Sequence, residues 1–357
     1  MGRVLLLVEL RGGNDGLNTV IPFSDRRYGQ LRPKIGVARE RVIQLNEQVG
    51  LHEKLEPLVE AWKAGDLAIV QGVGYPRPNR SHFRSIEIWD TASASTETLN
   101  EGWIARSFEK VALPAGVGVD CIVADTNALP AAGSALRTVV MPDVDKFLGQ
   151  ARMVRTAAAD GSRNDALEHI LSVAQEVTSA AAGLRAILDK SPPPGLGYGH
   201  LGGFGTQLDL ATRLVAAKVP LVAVKLAMTG FDTHNAQPPM HEKLLDQLAK
   251  ALATLRRNLI AANVWKEVVV MTYSEFGRRA RENANNGTDH GTAAPLFVMG
   301  GGVKGGLHGA YPSLAELPDG DLSFTVDFRS VYAALASECW GVQRDYGVRQ
   351  PPRLALF

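Results

Sequence analysis

Short apolar runs alternate with stretches of helical periodicity along most of this chain, and that alternation sets the fold class. Residues 3–10 are a buried-strand run ended by Arg11 and a glycine pair, and LAIVQGVG at 67–74 is a second. Between them, 52–64 carries Leu55, Leu58, Val59 and Trp62 at helical spacing, with Gly65 placed to cap the end. PRPN, after the second strand, continues neither a strand nor a helix. CIVADT (121–126) and LRTVVM (136–141) predict strands, and 144–190 predicts Ala-rich helix with a break at AADGSRND. SPPPGLGYG (191–199) is a loop or hinge. The second half is strongly periodic. A helix at 203–218, a strand at 221–228 and a long helix at 241–262 lead to strands at 267–273 and 295–300 and a last helix at 326–341. Leu244, Leu245, Leu248, Leu252, Leu255 and Leu259 line the long helix. Helix alternating with apolar strand predicts parallel βαβ units: a doubly wound, mostly parallel α/β sheet with helices on both faces. The chain reads as one domain, 1–357, with a helical insertion at about 144–200.

Composition narrows the function classes. The chain is 45% hydrophobic, 21% charged and +1 in net charge over 357 residues. No basic stripe argues for nucleic acid, and no polybasic cluster for an anionic membrane surface. An anionic substrate remains compatible with neutrality, because a bound metal supplies positive charge locally. Cys121 and Cys339 form no redox or metal spacing, so two buried free thiols are expected. MGRVLLLVEL has a short apolar run broken by Glu9 and no small-residue cleavage site, unlike a signal peptide. Nothing reaches the roughly 18 apolar residues that span a bilayer. As written, the chain reads as cytoplasmic and begins almost at once with a strand.

Four short polar runs follow the expected strands, where an open α/β sheet gathers its ligands. GGNDG offers Asp15 among glycines that let the backbone approach a ligand; a plain turn is the alternative. FDTH offers Asp232 and His234, two residues apart and therefore able to face one ion; a helix cap and a loop histidine are the alternative. SEFGRR offers Glu275 as a ligand and Arg278 as a clamp for a tetrahedral oxyanion, against a surface ion pair. TDHG offers His290 as a ligand with Asp289 as ligand or orienter, against a turn cap. A fifth run, YPRPNRSHFRS, sets Ser81 among Arg80, His82 and Arg84 at a helix start, where it is a nucleophile, an N-cap, or both. His52, His169 and His200 have no partner pattern.

Taken in order, GGNDG, NRSHFRS, FDTH, SEFGR, TDHGTAAPLFVMGGGVKGG and DFRSVY resemble the bacterial domain of unknown function 1501 family. Through it the chain resembles the alkaline phosphatase and sulfatase superfamily. The resemblance implies an alkaline phosphatase-like core with one or two metals at the strand ends. Asp15, Ser81, Asp232, His234 and His290 match its pattern, but Phe276 stands where a metal-binding His is expected, and a second metal is then weakly held, rebuilt by Asp289 or absent. The formylglycine-forming Cys-x-Pro-x-Arg run of sulfatases is missing: Ser81 is followed by His82, Phe83 and Arg84. Family members commonly carry a twin-arginine export leader, which implies a periplasmic location.

These readings converge on a metal-dependent hydrolase or transferase for a phosphate or sulfate ester, on a small molecule or a carbohydrate. Asp15, Asp232, His234, Glu275, Asp289 and His290 are the expected ligands of one or two divalent ions (Zn, Mn, Mg or Ca), Ser81 the nucleophile, and Arg278 and Arg84 the clamps. The alternative is a non-catalytic, metal-dependent binding protein for an anionic ligand, built on a scaffold that lost a ligand at Phe276. A third reading, GGNDG as a nucleotide-phosphate loop, lacks both the G-x-G-x-x-G spacing and a Walker lysine.

Overall fold

Alternate residues of the long strands enter two different cores, so the sheet is covered on both sides. Leu6, Val8 and Leu10 join one core, and Leu5 and Leu7 the other. A computed structural model describes residues 2–111, 113, 118–151, 153, 178–179, 181–188, 196–348 and 354–357. Its strands are β1 (Val4–Arg11), β2 (Val20–Ile21), β3 (Val42–Gln44), β4 (Gly50–His52), β5 (Leu67–Gly74) and β6 (Cys121–Val123). They continue with β7 (Thr138–Val140), β8 (Ala223–Thr229), β9 (Val268–Tyr273), β10 (Ala294–Met299), β11 (Gly306–His308) and β12 (Val326–Asp327). The main sheet has the order β11-β5-β10-β9-β1-β8-β6-β7, with β12 also paired to β5. Helices Gly202–Ala216 and Gln237–Ala261 pack on the first core; His82–Thr91 and Phe328–Trp340 pack on the second.

This is the doubly wound, mostly parallel α/β sheet that the periodicity predicts. One strand departs from it: β10 runs antiparallel to both β5 and β9. A parallel return needs a crossover of a dozen or more residues, usually a helix, and the chain between Tyr273 and Ala294 contains no helix, so it doubles back. His290, which precedes β10, is thereby delivered to the edge of the sheet where β1, β5, β8 and β9 end.

Other differences are local. The long helix starts at Gln237 rather than 241, because Pro238 and Pro239 sit in its first turn, where a missing N–H costs nothing. Pro57 lies in a 3-10 turn, Glu53–Leu58, which precedes the short α-helix Val59–Lys63. A small sheet, β2-β4-β3, has strands of two or three residues, too short to register as periodicity. Cys121 and Cys339 are buried and unpaired. Most of the expected insertion, including the break at AADGSRND, lies outside the described residues. Among the described residues no helix is long and apolar enough to cross a membrane.

Candidate metal centre

The centre is assembled by close backbone approach at the end of β1. Gly12 and Gly13 have φ of +117° and +83°. A Cβ on Gly12 would lie 2.3 Å from the Asp232 nitrogen, and one on Gly13 would lie 2.6 Å from the Phe276 ring. Only glycine allows both the conformation and the contact. The Gly12 N–H then donates to Glu275 Oε1 at 2.9 Å and Oε2 at 3.2 Å.

Arg278 ties the same loops together from within. Its buried guanidinium donates to the carbonyls of Gly13 (2.8 Å), Thr288 (2.8 Å) and Phe231 (3.0 Å), and to that of Gly12. A further donation reaches Asp232 Oδ1 at 2.6 Å. Every arm of this side chain is occupied by protein, so it positions Asp232 rather than reaching for a ligand.

Three imidazoles converge on Asp232, each anchored through its Nδ1. His82 Nδ1 donates to the buried Glu275 carboxylate at 2.7 Å. His234 Nδ1 faces Asp289 Oδ1 at 3.3 Å, and His290 Nδ1 donates to the Arg80 carbonyl at 2.8 Å. A ring that donates from Nδ1 carries its lone pair on Nε2 when neutral. The Nε2 atoms of His290 and His234 lie 3.1 and 3.0 Å from Asp232 Oδ1 and 2.9 Å from each other. His82 Nε2 lies 3.4 Å from Asp232 Oδ2. Four groups able to offer lone pairs thus face one another within hydrogen-bonding distance, and a proton or a metal cation among them relieves the repulsion. Carboxylate or carbonyl behind imidazole, and imidazole in front, is the arrangement that fixes metal-binding histidines.

The electrostatics of these groups run in different directions. Burial alone would raise the Asp232 carboxyl, but hydrogen bonds from Arg278 and His290 outweigh it and hold the group at about 2. The Glu275 hydrogen bond raises His82, whereas burial lowers His290 toward the neutral, ligating form. Phe276 is buried with its ring centroid 4.9 Å from His82 and 4.4 Å from His290, a wedge that fixes both ring planes. Among the described residues one group of side chains, His82, Asp232 and His290, brings ligand atoms within 4.8 Å of one another, with His234 against two of them.

The remaining expected site residues fall elsewhere. Asp15 is fully buried in an ion pair with Arg32 at 2.5 Å, and Gln237 also donates to it. Gln237 Oε1 accepts from Thr233 (3.1 Å) and Thr288 (2.6 Å), so Asp15, through Oδ2, braces the two loops that carry the histidines. Glu275 and Asp289 stand one step behind, holding His82 and His234. Arg84 is spent on Glu87 at 3.1 Å and on the carbonyls of Ser95 and Glu97. Ser81 is exposed at the start of helix His82–Thr91 and makes no capping hydrogen bond through its side chain. His82 is the residue that spacing does not single out: in the sequence it stands as a neighbour of Ser81, although it follows β5 at a helix start as the other runs follow their strands.

Comparison with known proteins gives one extensive match and several weak ones. Residues 43–328 match the family described as "Protein of unknown function (DUF1501)". A 64-residue stretch is 39% identical to NAD kinase from Nitrosomonas europaea, and spans 18% of this chain and about a fifth (22%) of that protein's length. Among solved structures, Ps i-CgsB in complex with k-i-k-neocarrahexaose is 9% identical with a TM-score of 0.42, over 96% of this chain and 73% of that one. A protein in the alkaline phosphatase superfamily from Vibrio parahaemolyticus is 9% identical with a TM-score of 0.37, over 87% and 63%. The lipoteichoic acid synthase LtaP from Listeria monocytogenes is 11% identical with a TM-score of 0.36, over 97% and 75%. With most of its length matched, the chain belongs to the DUF1501 family.

Proposed function

We propose that this protein is a metal-dependent hydrolase or transferase of phosphate or sulfate esters, built around a single ion. The observation that carries the reading is the convergence of three Nδ1-anchored imidazoles on the Asp232 carboxylate. His82, Asp232, His234 and His290 would hold the ion, and a nitrogen-rich set of this kind suits zinc better than calcium or magnesium. When bound, such an ion supplies Lewis acidity toward an ester oxygen.

The chain's own groups account for the rest. Ser81 precedes His82, and its Oγ is the nucleophile: it forms a bond to phosphorus or sulfur as the bond to the alcohol oxygen breaks. The hydroxyl proton leaves with the departing alcohol, by way of water. Water then cleaves the seryl ester and restores the hydroxyl. The unsatisfied N–H groups at the start of helix His82–Thr91 meet the negative charge of the ester oxygens. Glu275 and Asp289 keep His82 and His234 in the required tautomer.

The test uses 4-nitrophenyl phosphate and 4-nitrophenyl sulfate with protein loaded with zinc or manganese. Ser81→Ala is expected to lower turnover at least 100-fold while metal content stays unchanged. Hydrolysis that survives Ser81→Ala, or none in the wild type, rejects the reading. The buried Phe276 favours one alternative, a binding protein for an anionic ligand on a scaffold with one ion too few. Gain of hydrolysis in Phe276→His would select that alternative.

A further inference from the structure

A cavity of about 220 Å³ opens beside the centre and shares its backbone. Arg80, which lines it, is the residue whose carbonyl anchors His290; Thr292, also in the lining, lies two residues beyond His290. Its walls are built rather than incidental. The Tyr75 hydroxyl is fixed by Ser85 at 2.7 Å and by the Asn79 N–H at 3.1 Å. The opposite wall, the turn around Asp319 to Phe324, is tied down three times. Arg279 donates to the Asp319 carbonyl at 3.2 Å, Thr292 donates to the Leu322 carbonyl, and Arg80 forms an ion pair with the buried Asp321.

The lining chooses among guests. Tyr75, Pro78, Leu322 and Phe324 present apolar surface, and Phe324 does so although it is more than a third exposed. Thr292 and Ser323 add hydroxyls, and Arg80 adds N–H donors. Arg80 and the buried Asp321 neutralise each other and Asp319 is exposed to solvent, so the cavity offers an anion no net attraction and a cation only a solvent-screened carboxylate. What remains is a neutral guest with an apolar face and hydrogen-bonding edges. The size, below the range of drug-sized pockets, admits one ring and not a chain.

We infer that this cavity is the subsite for the alcohol part of the ester, and that it takes a single hydroxylated ring, a monosaccharide unit. The inference rests on the proposed ester chemistry for its meaning, yet its test does not depend on that chemistry. The probes are the uncharged methyl glycosides of glucose, galactose and mannose, followed by saturation-transfer NMR on the full chain, with cyclohexanol as competitor. At least one glycoside is expected to bind, and Phe324→Ala to weaken it at least fivefold. Ser323→Trp, which fills the cavity from an exposed position, should abolish binding. Asp232→Asn should leave it within twofold. Absence of glycoside binding, binding indifferent to both cavity variants, or equal competition by cyclohexanol would overturn the subsite. Failure of the wild-type chain to take up metal, with glycoside binding intact, would count against the proposed chemistry alone.

Discussion

Anchoring one nitrogen of an imidazole decides what the other can offer, and here three rings are anchored toward one carboxylate. Asp232→Asn is therefore expected to reduce bound zinc from about one per chain to near zero, as read by elemental analysis after desalting. Glu275→Gln keeps an acceptor for His82 Nδ1 but loses its charge. Metal affinity should fall about 10- to 100-fold, measured by competition with a chromophoric chelator. At this scale the sequence was partly legible. The runs that carry Asp232, His234, His290, Glu275 and Asp289 are visible because polar residues stand out just past apolar strands. Whether a carboxylate there touches an ion or steadies a histidine is decided by burial and by which atom it faces, and neither leaves a trace in the spacing. Arg278 illustrates the same point: an Arg after a strand reads as an anion clamp until its guanidinium is found filled by backbone carbonyls.

At the scale of elements, the strands and long helices follow from hydrophobic period, whereas direction and close approach do not. A six-residue apolar run such as β10 reads alike in either orientation; the missing helix before it was the available signal. The glycine pair after β1 was legible as a turn, but the tightness of its contact with Asp232 was not. Gly12→Ala is expected to destabilise the fold by about 1–3 kcal/mol from backbone strain alone, and more from the displaced Asp232. Urea denaturation should show the loss, and metal uptake should fall in parallel. By contrast, Asp15→Ala removes one partner of a buried ion pair, a change that costs about 3–5 kcal/mol. Unfolding curves should report that cost while the folded fraction still binds its ion, which separates a brace from a ligand.

The whole molecule carries a polar seam through its sheet. Lys225 Nζ lies 2.7 Å from Glu9 and 2.6 Å from Asp125, and Arg11 closes the set from the surface. Beside it, Asp90 accepts hydrogen bonds from Asn127 (2.7 Å) and Tyr273 (3.0 Å). Burial, the largest influence, pushes its carboxyl up to about 7. Unfolded, the same group titrates near its ordinary value of about 4. Between those limits the folded state holds more protons, so Asp90 makes stability fall as pH rises from about 4 to about 7 and level off above. Asp90→Asn should flatten that slope, raising Tm at pH 8 relative to pH 5 compared with the wild type. Thermal unfolding at the two pH values measures it.

The reversed direction of β10 has a consequence for how such a site can change. Glu275, Arg278, Asp289 and His290 all lie on one excursion that leaves the sheet after Tyr273 and re-enters at Ala294, pinched by pairing between Arg278 and His290. Its tip, near Asn283 and Gly287, rests on the His234 backbone. A whole wall of the centre is thus one hairpin, keyed to the loops after β1 and β8 through Glu275 and Arg278, so a change within it reaches the centre while the parallel strands beneath keep their register.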